Sequence, residues 1–242
     1  MRSARRVWLA PAYVLHQYAY RDTSRIVEIF TGEHGRLSLF ARGANGPKSA
    51  AKGLLRPFQR LLISWSGKSD AGQLVGVEID GAVTQLPAPR LMSGFYLNEL
   101  LLKLTERLDP HPQIFDSYAR CVAALASEQG EEAALRRFEK RLLEDLGYGL
   151  ELSRCASGAP IEPEGHYRYQ LEQGAQPCLP NATGAVAGQS LTDLLNERFD
   201  DPTSLRDAKR VLRSAIDACL DGRALKSREV MRALRQRETA EP

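Results

Sequence analysis

The chain has 242 residues, 43% of them hydrophobic and 26% charged, with a net charge of +3. That composition describes one large or two smaller globular domains with an ordinary core, and it excludes low-complexity disorder. No apolar run approaches the ~20 residues a bilayer-spanning helix needs, so no membrane association is expected.

The small net charge conceals an uneven distribution. Residues 1–60 carry 11 Lys/Arg against 3 Asp/Glu, residues 61–205 carry 12 against 21, and residues 206–242 carry 10 against 6. A basic N-terminal quarter points to an anionic partner such as nucleic acid. The opening MRSARRVWLAPAYVL is basic and then apolar, but Pro11 interrupts it and His16, Gln17 and Tyr18 follow, so a signal peptide is not expected. Cys121, Cys155, Cys178 and Cys219 are scattered and read as reduced thiols of a cytoplasmic protein.

Residues 1–81 read as a small all-β module. Arg5–Tyr20 is rich in aromatic and aliphatic residues, and Arg25–Thr31 alternates its two faces. Gly32–Gly35 is a turn and Arg36–Arg42 the return strand of a hairpin. Gly43–Gly53 is too rich in Gly, Pro and small polar residues to predict regular structure. Gln59–Trp65 and Gln73–Ile79 complete five strands, the number of a small closed barrel such as an OB-fold.

Pro87-Ala88-Pro89 marks a boundary, after which the apolar period becomes helical. The spacing predicts helices over 91–108, 114–126 and 131–149, packed as antiparallel neighbours. Residues 150–187 read as an irregular excursion, with Tyr167–Leu171 pairing a short strand near Cys178. Helices resume over 191–199, from Asp201-Pro202 to about Leu220, and over 226–237. The fold class is therefore α+β: a barrel domain over 1–81 and a helical domain over 88–242, interrupted at 150–187.

The third helix carries Leu135, Phe138, Leu142 and Leu146 on one apolar arc, with Leu143 at its edge. Glu139 falls inside that arc and needs a partner such as an arginine. Arg136 borders the strip beside Leu143, giving a mixed greasy and basic edge suited to an acidic, hydrophobic peptide. A buried helix with a solvated charged side explains the same pattern.

For nucleic acid, Arg36, Arg42, Lys48, Lys52, Arg56 and Arg60 cluster in and around the glycine-rich loop, where cations could track phosphates with little sequence preference. Phe40, Phe58, Trp65 and Tyr18 or Tyr20 could stack bases, although core positions are the commoner use of such residues. Cys155, His166 and Cys178 are too few for a structural zinc, and no C-x-x-C pair exists. The four histidines show no catalytic spacing, and neither a P-loop nor a dinucleotide glycine pattern is present, so neither an enzyme nor a cofactor is expected.

Five stretches together carry a family resemblance: VLHQYAYRDTSRIVEIFTGEHGRLSLFARGA, KGLLRPFQRLLISWSG, SGFYLNELLLKL, ALRRFEKRLLEDLGYG and LKSRE, in order between Val14 and Glu229. They resemble RecO, a family of bacterial recombination mediators. The resemblance implies an N-terminal OB-fold joined to a helical domain. It implies binding of single- and double-stranded DNA, annealing of complementary strands, and work with RecR to load RecA onto DNA coated by single-stranded-DNA-binding protein. The family holds the acidic, Phe-ended tail of that protein against its helical domain, which assigns tail binding to Arg136 and Arg137, with Arg120 and Lys140 as further candidates. Some members hold zinc with two C-x-x-C pairs. Here Gly158 and Ala175 stand where the partners of Cys155 and Cys178 would be, so a metal-free relic is expected. A monomer associated with the nucleoid is the corresponding expectation, and a protein–protein adaptor with an incidental basic loop is the alternative.

Overall fold

A computed structural model describes residues 5–44, 46, 51–67, 69–127 and 130–238. Five strands close a barrel: β1 (Arg5–Tyr20), β2 (Ser24–Thr31), β3 (Gly35–Ala41), β4 (Arg60–Gly67) and β5 (Ala71–Ile79). Their order around it is β1-β2-β3-β5-β4. Strand β1 closes the ring because its first half pairs with β4 and its second half with β2, with irregular register between Val7 and Ala10 and between Val14 and His16. Such bulges bend a long strand enough to serve two neighbours. The β3–β5 pairing is parallel and the others antiparallel. This is the five-stranded OB-fold barrel.

Side-chain alternation fills the barrel with Val14, Val27, Ile29, Leu37, Leu39, Leu61, Ile63 and Trp65, all buried. The β2–β3 turn depends on Gly35: its φ is +63°, and a Cβ there would lie 2.1 Å from the Asp109 carbonyl oxygen. A short helix α1 (Ala51–Leu54) occupies part of the glycine-rich connection, contrary to the expectation of no regular structure. Ala51, Lys52 and Leu54 favour helix strongly enough to complete one turn beside Gly53.

After a helical turn at Ala88–Arg90 come α2 (Leu91–Leu104) and α3 (Pro112–Ala126). Helix α2 stops four residues short of the expected Leu108. Thr105 is extended, and its hydroxyl donates to the Leu101 carbonyl at 2.7 Å. The amide of Leu108 donates to the Arg36 carbonyl at 3.0 Å, so residues 105–108 serve the barrel rather than prolong the helix. Asn98 donates to the Leu15 carbonyl at 2.9 Å and accepts from the Tyr118 hydroxyl at 2.6 Å, which joins α2, β1 and α3 through one buried amide.

The chain continues through α4 (Glu131–Asp145), β6 (His166–Gln170), β7 (Gly174–Pro177), β8 (Ala185–Ala187), α5 (Gly188–Leu195), α6 (Pro202–Leu220) and α7 (Lys226–Glu238). It forms two compact units, residues 1–129 with 225–242 and residues 130–224. The first holds the barrel, α2, α3 and α7. The second holds α4, the β7-β6-β8 sheet, α5 and α6.

The three central helices therefore do not form one antiparallel bundle: α4 belongs to the second unit and packs there on α6. The expected hairpin near Cys178 is present as β6–β7. The additional strand β8 gave no periodic signal, being three residues of Ala-Val-Ala. Asp201 caps α6 by accepting from the Ser204 amide at 2.7 Å, as the Asp-Pro-Thr start predicts. No described helix is long and apolar enough to cross a membrane.

Candidate functional site

The six N-terminal cations separate once their partners are known. Arg36 points outward from β3 but is covered. Its Nη2 donates to the Thr105 carbonyl at 2.9 Å and its Nη1 lies 3.8 Å from Glu28, while burial holds its pKa below the usual arginine value. It joins strand to interhelical loop and offers little to a phosphate. Arg60 donates from Nε to Asp80 at 2.6 Å and stands 5.7 Å above the Phe115 ring. The Asp80 hydrogen bond raises its pKa above the usual value. Arg56 is half-buried, 3.3 Å from the Gln59 side chain. Arg42, at the turn after β3, is exposed beside Gly43, whose φ is +68°. Lys48 lies outside the described residues, as does the side chain of Lys52.

Charge clustering alone missed Arg107. It donates from Nη2 to both Glu28 oxygens at 2.8 and 2.9 Å and from Nη1 to Ser38 at 2.7 Å. Ser38 also donates to Glu28. The available signal was Glu28 itself, an acid flanked by hydrophobic residues on a strand and hence in need of a cation.

On α4, Glu139 has the arginine partner its position requires. Arg136 Nη2 lies 2.7 Å from Glu139 Oε1, and the arginine is only 4% exposed. This corrects the placement of Arg136 on an open edge: the ion pair draws it inward, beside the leucines. Lys140 is also buried, with Nζ 2.7 Å from Glu144 and 3.5 Å from Glu197. Arg141 reaches Glu197 at 2.6 Å and Glu144 at 3.3 Å. Arg137 is exposed, as Arg141 is, and it stands 5.2 Å above the buried Phe199 ring and 3.4 Å from the Glu197 carbonyl. Arg120 is exposed on α3, in the other unit. The structure thus gathers Arg137, Lys140 and Arg141 around Glu144 and Glu197.

Cys155 is buried and forms a bridge with Ala175, and Cys178 donates its amide to the His166 carbonyl at 2.8 Å. Gly158 and Ala175 bring no donor side chain, so this set does not fit a four-ligand zinc site. Among the described residues no three His, Cys, Asp or Glu side chains are grouped to hold a metal.

A closed five-stranded OB-fold barrel followed by helices, with cations at the end of β3 and on α4, defines the class as a barrel-plus-helix protein. The N-terminal model of recombination protein O matches residues 4–81 and the C-terminal model matches residues 88–229. The chain is 43% identical over 231 residues to the DNA repair protein RecO of Dechloromonas aromatica, an alignment covering 93% of this chain and 96% of that one. It is 42% identical over 229 residues to that of Methylococcus capsulatus, covering 94% of each, and 41% identical over 243 residues to that of Thiobacillus denitrificans, covering 97% and 95%. The chain belongs to the RecO family of DNA repair proteins.

Proposed function

We propose that this chain is a non-enzymatic recombination mediator. It binds single- and double-stranded DNA through the barrel and the loop after β3, and anneals complementary strands by neutralising their phosphates. With RecR it helps load RecA onto DNA coated by single-stranded-DNA-binding protein. The acidic, Phe-ended tail of that protein docks on α4, where Arg137 is exposed. The protein acts as a monomer in the bacterial cytoplasm, at the nucleoid.

The observation that carries the reading is the exposed Arg42 on the loop that leaves β3 of an OB-fold. Arg56, with Lys48 and Lys52 as the sequence names them, makes up the other proposed phosphate contacts. Arg36 is withdrawn from it because Glu28 and Thr105 engage its guanidinium. For the tail, Arg137 replaces Arg136 as the principal contact, since a buried, paired guanidinium cannot meet a carboxylate arriving from solvent.

The test is DNA affinity as a function of salt, with labelled single-stranded and duplex oligonucleotides. Affinity should fall steeply with salt, and the slope should become shallower in Arg42→Ala/Lys48→Ala/Lys52→Ala. Salt-independent or absent DNA binding, together with retained binding of an acidic Phe-ended peptide, would favour the adaptor reading.

A further inference from the structure

The outer face of the barrel is covered over one half and open over the other. At the covered end Tyr13 lies opposite Phe30, with Phe30 opposite Arg36 across the next strand. Phe115 of α3 closes over this row, with ring centroids 5.4 Å from Tyr13 and 5.9 Å from Phe30. Tyr13 is 4% exposed and Phe30 is 0% exposed. The next row toward the other end is tied down by the Glu28–Ser38–Arg107 cluster.

Beyond that cluster the same face opens to solvent at Tyr18 and Tyr20. Tyr18 is opposite Ile26, Ile26 opposite Phe40, and Phe40 opposite Gln73, so one row crosses four strands. Tyr18 is 51% exposed and Tyr20 39% exposed, with Ile26 and Phe40 half-buried between their neighbours. The Tyr20 and Phe40 rings meet edge to face at 5.3 Å. Arg21 stands 5.4 Å over the Tyr20 ring, and Arg42 follows Phe40 by two residues.

We propose that this open half is a base-stacking platform for single-stranded nucleic acid, with Tyr18, Tyr20 and Phe40 as its aromatic faces and Arg21 and Arg42 as its phosphate contacts. The inference rests on the DNA-binding reading and adds to it the residues that meet bases. Charge complementarity selects the occupant: exposed aromatic rings interleaved with arginines suit a polyanion whose planar groups are splayed out. Tyr18 and Phe40 are two strand intervals apart, about 10 Å, so each ring can take its own base. A duplex keeps its bases stacked on each other and cannot use the rings. The platform therefore confers a preference for single strands that the phosphate contacts do not.

The test compares Tyr18→Ala/Tyr20→Ala with Tyr18→Phe/Tyr20→Phe, each titrated against a labelled oligo-dT, an abasic oligonucleotide and a duplex of equal length. The alanine pair should weaken oligo-dT binding at least ~tenfold and duplex binding by no more than about twofold, with the phenylalanine pair close to wild type. The abasic strand should bind all three proteins alike. Equal losses on oligo-dT and duplex, or no loss on either, would overturn the platform. If wild type binds the DNAs and the alanine pair matches it, only the platform falls. If wild type binds none of them, the DNA-binding reading falls with it.

Discussion

The barrel and the helix α4 both look basic in the sequence, yet each keeps only part of that charge unpaired: Arg42 on one and Arg137 on the other are exposed. On α4, Arg136 is spent on Glu139, while Lys140 and Arg141 share Glu144 and Glu197. At the barrel, Arg36 and Arg60 are engaged by Glu28 and Asp80, but Arg42 stands exposed. Carboxylates far away in sequence, Glu197 for the helix and Asp80 for the barrel, decide which cations are already paired. A run of lysines and arginines is therefore an upper bound on charge available to a partner.

Removing the buried partner on α4 should give the largest effect. Arg136→Ala leaves Glu139 buried without its ion pair and should destabilise the protein by about 3–5 kcal/mol, read as a lower urea midpoint. Replacing Arg136 and Glu139 together with Met and Leu should restore most of that loss; a double replacement as unstable as Arg136→Ala would show that the pair is not the cause. Asn98→Ala comes next. It removes the hydrogen bonds to the Leu15 carbonyl and from the Tyr118 hydroxyl and should cost about 2–4 kcal/mol.

On the exposed side, Arg42→Ala should weaken DNA binding severalfold and lower the salt slope by about 1, with an unchanged urea midpoint. Arg36→Ala should do the reverse, lowering stability while leaving the salt slope alone. If the two exchanged these signatures, the division between spent and available charge would be wrong at the barrel.

The smallest effect concerns α7. Burial pushes the Glu99 pKa up, but hydrogen bonds from the Ser227 hydroxyl and from the Ser227 and Lys226 amides outweigh it, and the net shift is downward. A depressed carboxylate contributes stability that is present above its unfolded-state pKa and lost as pH falls through the folded one. Amides at the start of α7 should therefore exchange faster with deuterium below the ordinary glutamate range, and Glu99→Gln should show that faster exchange already at neutral pH.

The barrel was legible because its strands alternate, and α6 because Asp201-Pro202 and Asp221-Gly222 punctuate it. Helix α4 was legible in its buried arc, down to the arginine that Glu139 requires. What escaped is what depends on distant residues. Strand β8 exists because β6 offers an edge, and α2 ends where it does because Thr105 and Leu108 bond to Arg36. Arg136 sits beside the apolar strip in a helical projection, and only tertiary packing decides that it turns inward. The open aromatics followed the same rule: Trp65 and Phe58 are buried, while Tyr18 and Tyr20 are not, because α3 covers only one end of the barrel face.

Glu99 on α2 accepts the first amides of α7, although 127 residues separate Glu99 from Lys226. The polypeptide thus leaves the barrel unit after α3, builds the whole of residues 130–224, and then returns. During synthesis on the ribosome the strands emerge early, but α2 lacks its last neighbour until α7 has cleared the exit tunnel. A nascent chain halted at Ala224 holds every strand of the barrel and none of the amides that Glu99 accepts. Completion of the first-made unit is thereby timed by residues translated only after the whole of 130–224.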